Sequence, residues 1–200
     1  FVLRCAEQAV NIRHIPKILY HWRAHKDSTA ENPESKRYAF EAGIRAIQAH
    51  YDRCGIDAEV SAEQLNGIYR SKYRLKEQPL VSVIIPNKDH TEDLDKCIRS
   101  IEEKGTYKNI EYIVIENNSQ KKETFAYYEK LQAENPKVKV VFWEREFNYS
   151  AINNYGVGFA KGEYLLFLNN DTEIINADCL EELLGYCMRS DVGAVGARLY

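Results

Sequence analysis

The sequence has 200 residues, of which 44% are hydrophobic and 28% charged, with ten glycines and five prolines. These proportions exclude a collagen-like, low-complexity or intrinsically disordered chain, and a chain of this length buries roughly 70% of its unfolded surface, enough for one sizeable core or two modest ones. The net charge of −3 argues against an electrostatic nucleic-acid binder, so no nucleic acid is expected as a partner.

Phe1 to Ala9 reads as the end of a helix, and Ile12 to Trp22 as an extended stretch broken by Pro16, with Ile18-Leu19-Tyr20 as its apolar heart. Asp27-Ser28-Thr29 supplies turn residues. From Ser35 to Cys54, Phe40, Ile44, Ile47, Tyr51 and Cys54 recur at helical spacing until Gly55 stops the pattern. Residues 56–80 are polar with one short alternation (Ile68, Tyr69, Tyr73, Leu75), a linker or an edge strand.

After Pro79 the rhythm becomes regular. Val81 to Ile85 is a β-branched strand, Thr91 a cap for a helix striped by Leu94, Cys97, Ile98 and Ile101 and ended near Gly105, and Ile110 to Ile115 a second strand. A helix over 121–135, a strand over 138–143, a helix over 149–161, a strand over 163–168 and a helix over 178–189 follow, and 192–200 begins a fifth strand. Strands alternating with helices at this spacing predict βαβ units: an α/β, Rossmann-like, mainly parallel sheet with helices on both faces, preceded by a mostly helical segment.

Charge changes at the same place. Residues 1–78 carry 13 Lys and Arg against 10 Asp and Glu, and residues 79–200 carry 14 against 20, which sets a seam near Gln78-Pro79. The five cysteines (5, 54, 97, 179, 187) include no C-x-x-C pair, and their odd count does not suggest a disulfide framework. Reduced thiols in a cytosolic protein without a zinc site are the expectation. The longest apolar runs are strand-length, short of the ~20 residues that a membrane span needs. The chain opens on Phe1-Val2-Leu3 and stops within the apolar run Arg198-Leu199-Tyr200, so it reads as a piece of something longer.

In a parallel sheet, ligands bind beyond the carboxyl ends of the strands. After the first strand of the regular region stands Pro86-Asn87-Lys88-Asp89-His90, without a glycine; neither a dinucleotide fingerprint nor a P-loop occurs anywhere. After the second stands Glu116-Asn117-Asn118-Ser119. Glu116 is there either to accept from a base N–H or ribose hydroxyl, or to close a simple turn. Asn148 or Ser150 is placed to cap the helix after the third strand. After the fourth comes Asn169-Asn170-Asp171-Thr172-Glu173. Asp171 either caps the next element or joins a divalent cation to a diphosphate, because Mg²⁺ and Mn²⁺ take oxygen ligands, one or two of them carboxylates. Glu173 is expected to be solvated.

Val81-Ser82-Val83-Ile84-Ile85-Pro86-Asn87, Ile113-Val114-Ile115-Glu116-Asn117-Asn118-Ser119 and Leu166-Phe167-Leu168-Asn169-Asn170-Asp171 together resemble the family 2 glycosyltransferases of GT-A fold. Phe147-Asn148-Tyr149-Ser150-Ala151-Ile152-Asn153-Asn154, followed by Ala160-Lys161-Gly162-Glu163-Tyr164, looks like the bacterial branch that builds rhamnan, O-antigen and other surface polysaccharides. The resemblance runs from about Pro79 to Tyr200. It implies an enzyme that moves a sugar from a nucleotide-diphosphate donor, UDP- or dTDP-linked, to a glycan or lipid-linked acceptor with inversion and with Mg²⁺ or Mn²⁺. It further implies a cytoplasmic location, with peripheral association at the inner face of the membrane through the full-length protein.

By the same resemblance, Pro86, Asn87 and Asp89 line the base and ribose pocket, and Glu116 contacts the uracil or thymine. The D-x-D pattern falls on Asn169-x-Asp171, so asparagine replaces its first acid, Asn169 is left to bond a ribose, and Asp171 is the metal carboxylate. The N-terminal third resembles the other end of such a domain. Phe1-Val2-Leu3-Arg4 is similar to the helix after the catalytic acid, and Tyr20-His21-Trp22-Arg23-Ala24-His25 to a closing R-x-H segment, with Arg23 for diphosphate and His25 for metal. The implied organisation is a remnant of one transferase domain over 1–34, a helical linker over 35–78 and the nucleotide-sugar-binding part of a second over 79–200. The general base then lies outside the chain at both ends, no catalytic residue is assigned, and weak nucleotide-diphosphate binding without sugar transfer is expected. The rival readings are a nucleotidyltransferase, which needs a glycine-rich basic loop where Pro86 to His90 has none, and a non-catalytic scaffold domain.

Overall fold

The computed structural model describes residues 1–21, 37–63 and 67–197. The chain divides into two compact units, Phe1–Arg74 and Leu75–Tyr200, so the break falls just before the change in composition at Gln78-Pro79.

In the first unit a short helix α1 (Val2–Ala6) accompanies a long helix α2 (Arg37–Cys54), and a two-stranded antiparallel hairpin follows, β1 (Ala58–Ala62) with β2 (Tyr69–Tyr73). Gly55 ends α2 at φ +67, the left-handed conformation that only glycine adopts without strain. Gln48 then ties α2 to the hairpin: its Nε2 donates to the Ala58 carbonyl at 3.0 Å and its Oε1 accepts from the Val60 amide at 3.1 Å. The segment expected to be a linker or edge strand is thus a hairpin. Its first strand, Ala58-Glu59-Val60-Ser61-Ala62, escaped detection because only one of its residues is β-branched and apolar. The stretch from Ile12 to Tyr20 forms no strand, and Ile12, Ile18 and Leu19 are exposed. Arg23 and His25 lie outside the described residues.

The second unit is built on a four-stranded parallel sheet, β3 (Val81–Asn87), β4 (Ile110–Glu116), β5 (Val138–Phe142) and β6 (Tyr164–Phe167), in the order β5-β4-β3-β6. Helices α3 (Thr91–Arg99), α4 (Lys122–Glu134), α5 (Tyr149–Val157) and α6 (Cys179–Cys187) make up its layers. Side chains alternate across the pleat. Val81, Val83 and Ile85 of β3 and Tyr112 and Val114 of β4 pack with Leu94, Cys97 and Ile98 of α3, Leu131 of α4 and Leu184 of α6. The intervening Ile84, Ile113, Ile115 and Val141 form a smaller core against Ile152 of α5. Helices therefore cover both faces, each fully buried aliphatic side chain contributing about 1.5–3 kcal/mol of transfer free energy.

Two details set how closely layers approach. A Cβ on Gly156 would lie 2.5 Å from Ile115 Cδ1 and 2.8 Å from Ile84 Cγ2, so the missing side chain seats α5 on the sheet. A Cβ on Gly162 would meet the Leu80 carbonyl at 2.6 Å, while the Gly162 amide donates to Ser82 Oγ at 2.8 Å. Three expectations are corrected. The helix after β5 ends at Val157, where Phe159 and Ala160 amides turn back onto Gly156 and Val157 carbonyls. Thr91 is the first residue of α3 rather than its cap, His90 taking that position. Residues 192–197 form no fifth strand.

Candidate functional site

The strand order reverses between β3 and β6, since β4 and β5 lie on one side of β3 and the chain then crosses to the other. Such a switch point leaves a crevice at the carboxyl ends of the two strands. The two loops that border it are joined there: Asn170 Nδ2 donates to Asn87 Oδ1 at 2.6 Å. Asn87, the last residue of β3, is 3% exposed.

From Asn87 a buried relay runs inward. Its Nδ2 donates to the Tyr128 hydroxyl at 2.7 Å, and that hydroxyl donates to Glu116 Oε2 at 2.7 Å. Glu116, in register with Asn87 across β3 and β4 and also 3% exposed, accepts further bonds from the Ser119 hydroxyl at 2.6 Å and the Ser119 amide at 2.5 Å. A carboxylate withdrawn from water requires such donors. Burial, the largest influence on Tyr128, pushes its pKa well above the usual phenol range; the bond from Asn87 opposes that shift and Glu116 reinforces it. The hydroxyl therefore keeps its proton and remains a donor to Glu116.

Asp89 sits at φ +58. In that conformation its carboxylate reaches the start of α4, accepting from the Gln120 amide at 2.9 Å, the Lys121 amide at 3.0 Å and Thr124 Oγ1 at 3.0 Å, while its own amide donates to Ser119 Oγ at 2.9 Å. Bonds from the Gln120 and Lys121 amides hold its pKa below the ordinary carboxylate value. Asp89 thus caps α4 from another loop and ties the segment after β3 to the turn after β4. A depressed pKa contributes stability that is present above the unfolded-state value and disappears as pH falls through the folded one. Asp89→Ala should therefore lower the urea midpoint at pH 7, and the gap from the parent chain should narrow once the pH drops below about 4. A gap that stays constant to pH 3 would contradict this assignment.

Pro86 is half-buried, directly before Asn87 on β3. Asn117 and Asn118 bind the loop after β5, donating to the Arg145 carbonyl at 3.1 and 2.9 Å. Asn148 caps α5, its Oδ1 accepting from the Ala151 amide at 2.9 Å; of the two candidate caps it is the one used.

Asn169 and Asp171 stand exposed on the turn after β6, closed by a Thr172 amide to Asn169 carbonyl bond of 3.3 Å. Asp171 does not cap α6, because Asp178 holds that position. Glu173 is paired to Lys104 at 2.5 Å rather than simply solvated. Beneath the turn the Cys97 thiol, pushed up to about 12 by burial, donates to the Asn169 carbonyl at 3.7 Å and stays neutral. The turn offers one exposed carboxylate, Asp171, and one exposed side-chain amide, Asn169, whose oxygens are hard donors. It fits Mg²⁺ or Mn²⁺ held jointly with a diphosphate, since such ions use one or two carboxylates plus substrate oxygens.

Pro86 and Asn87 at the end of β3, Glu116 at the end of β4 and Asp89 in the loop after β3 thus cluster with Asn170 at one end of the sheet, and Asn169 and Asp171 flank Asn170 on the turn after β6. Tyr128, Asn170 and Ser119 were not singled out from sequence. Tyr128 shares the buried stripe of α4 with Thr124 and Leu131, and a hydroxyl on that stripe was the available signal.

Residues 82–200 match the sequence profile described as Glycosyl transferase family 2. The chain is 38% identical over 198 residues to the O-antigen biosynthesis protein RfbC of Myxococcus xanthus, covering 99% of this chain and 15% of that protein. It is 38% identical over 202 residues to the uncharacterized protein y4gI of Sinorhizobium fredii, covering 100% of this chain and 22% of that protein. It therefore spans less than a quarter of the length of these curated relatives. The mannosyltransferase PcManGT from Pyrobaculum calidifontis, solved in complex with GDP-Man and Mn²⁺, superposes with a TM-score of 0.53 over 78% of this chain and 44% of its own, at 16% identity, a likeness of fold. With the profile covering more than half of its length, this chain belongs to glycosyltransferase family 2 and carries the GT-A type of α/β sheet.

Proposed function

We propose that residues 79–200 are the nucleotide-sugar-binding part of a glycosyltransferase domain that serves bacterial cell-surface polysaccharide synthesis. The observation that carries this reading is the polar cluster at the β3–β6 switch point, where the Asn170–Asn87 bond and the Tyr128–Glu116 relay gather polar groups at the strand ends. Pro86 and Asn87 form the floor for base and ribose, with Asp89 holding the start of α4. Glu116 offers its carboxylate to the N–H edge of a uracil or thymine when Ser119 or Tyr128 yields a bond. Asn169 meets the ribose, and Asp171 holds the Mg²⁺ or Mn²⁺, which when bound would neutralise charge on the departing diphosphate.

The donor is a UDP- or dTDP-linked sugar and the acceptor a glycan or lipid-linked saccharide, whose hydroxyl displaces the diphosphate with inversion after a carboxylate base outside this chain removes its proton. The first 34 residues are the remnant of a preceding transferase domain, with Arg23 and His25 as its diphosphate and metal contacts, joined by residues 35–78. Among the described residues no helix is long and apolar enough to cross a membrane. The working location is the cytoplasm at the inner face of the membrane, reached through the full-length protein.

Calorimetric titration with UDP and dTDP, with and without Mn²⁺, tests the assignment. Weak binding that Mn²⁺ strengthens is expected, together with no turnover of labelled nucleotide sugars by this chain alone. No binding under either condition would favour a scaffold domain instead.

A further inference from the structure

Within the first unit, three side chains of different ligand chemistry converge at the junction of α1 and α2, far in sequence from the crevice and unrelated to the function proposed for it. Glu7 follows α1, and His50 and Cys54 stand four residues apart on α2, so they share one helix face. One ligand atom from each lies within 4.8 Å of the others, the sole such group of three or more His, Cys, Asp or Glu among the described residues. His50 Nδ1 lies 2.7 Å from Glu7 Oε1 and 3.6 Å from Cys54 Sγ.

We propose that Glu7, His50 and Cys54 form a binding site for a zinc-class divalent cation. Tetrahedral Zn²⁺ with Zn–S near 2.3 Å and Zn–N near 2.0 Å separates sulfur from nitrogen by about 3.6 Å. The Cys54–His50 pair stands at that separation. The same geometry separates nitrogen from a carboxylate oxygen by about 3.3 Å. Glu7 therefore has to withdraw by roughly 0.6 Å as the cation replaces the proton now shared with His50.

Arg53 is the apparent obstacle, since its Nε donates to Glu7 Oε2 at 2.8 Å and its Nη2 to Oε1 at 2.7 Å. It need surrender only Oε1. The bond to Oε2 then becomes an outer-shell contact that orients the ligating carboxylate, as metal sites commonly require. Thiolate and glutamate together cancel the charge of the cation, and a fourth position remains for water. Thiolate and imidazole select Zn²⁺ or Co²⁺ over Mg²⁺ and Mn²⁺, so this site and the oxygen donors at Asp171 take different metals. The expectation of no zinc site rested on the lack of paired cysteines; the His-x-x-x-Cys spacing on α2 carries the signal instead.

Co²⁺ titration of the reduced 200-residue chain is the test. The expected result is a near-ultraviolet thiolate charge-transfer band with visible tetrahedral bands, saturating at one equivalent and bleached by Zn²⁺ but not by millimolar Mg²⁺. Cys54→Ser should abolish the charge-transfer band and His50→Ala should weaken binding at least tenfold, whereas Cys5→Ser leaves the spectrum unchanged. Circular dichroism confirms that each variant retains its helices, and Cys54 is exposed, so its replacement leaves packing intact. Absence of the band in the folded chain, or its survival in Cys54→Ser, would overturn the proposal.

Discussion

Glu116→Leu should lower the stability of the second unit by about 3–5 kcal/mol and abolish nucleotide binding. The carboxylate is buried and accepts from three donors, the Ser119 amide, the Ser119 hydroxyl and the Tyr128 hydroxyl. Leucine fills similar volume but offers no acceptor, and each buried donor left without one costs about 1–3 kcal/mol. The two hydroxyls can rotate in search of other acceptors; the Ser119 amide cannot, and it belongs to the turn that also receives the Asp89 amide on Ser119 Oγ. Loss at Glu116 therefore propagates to the Asp89 cap on α4.

Tyr128→Phe separates the relay from the packing, because it keeps the ring in the core and deletes only the hydroxyl that links Asn87 to Glu116. About 1–2 kcal/mol of destabilisation is expected. The decisive quantity is the coupling. In a double-mutant cycle read by urea denaturation, Glu116→Leu and Tyr128→Phe should fall short of additivity by at least 0.5 kcal/mol, as members of one network do. Additive effects would mean that the Tyr128–Glu116 bond is energetically idle.

The second unit was largely legible in sequence because its strands are unambiguous. Val81-Ser82-Val83-Ile84-Ile85 is buried on both faces, so it reads as an apolar run, and the helices that follow open on polar positions, His90, Lys121, Asn148 and Asp178. The end of β6 was harder. Leu165 and Phe167 are 40% and 46% exposed, so the strand's apolar character overstates its burial. Strand β2 falls on the alternation that includes Tyr69 and Tyr73, whereas β1 was missed because its buried positions, Ala58 and Val60, are small and leave only a faint period. At the site, residues at strand ends could be placed by topology alone. What local spacing could not supply was the partner from a distant element: Tyr128 is twelve residues beyond Glu116 and 41 beyond Asn87, and Asp89 meets α4 across more than thirty. Such pairings depend on the parallel register that brings Asn87 opposite Glu116.

The pair Asn169 and Asp171 makes the second large effect separable from folding. Both are exposed on the turn after β6, so replacing either should change stability by no more than about 0.5 kcal/mol. Asp171→Ala removes the carboxylate assigned to the cation. Mn²⁺ binding in the presence of UDP, followed through the electron paramagnetic resonance of free Mn²⁺, should weaken at least tenfold, and the Mn²⁺-dependent gain in UDP affinity should vanish. Asn169→Asp tests the same turn in the opposite direction. A second anionic oxygen at the first position of the D-x-D pattern raises the ligand charge, and hard cations respond to that charge. Roughly tenfold tighter Mn²⁺ binding, or about 1.4 kcal/mol, is expected. The two substitutions together distinguish a metal role from a merely local one. If Asp171→Ala weakens UDP equally with and without Mn²⁺, Asp171 contacts the nucleotide rather than the ion. If Asn169→Asp leaves Mn²⁺ affinity unchanged, the asparagine faces the ribose alone, and the turn provides one metal ligand rather than two.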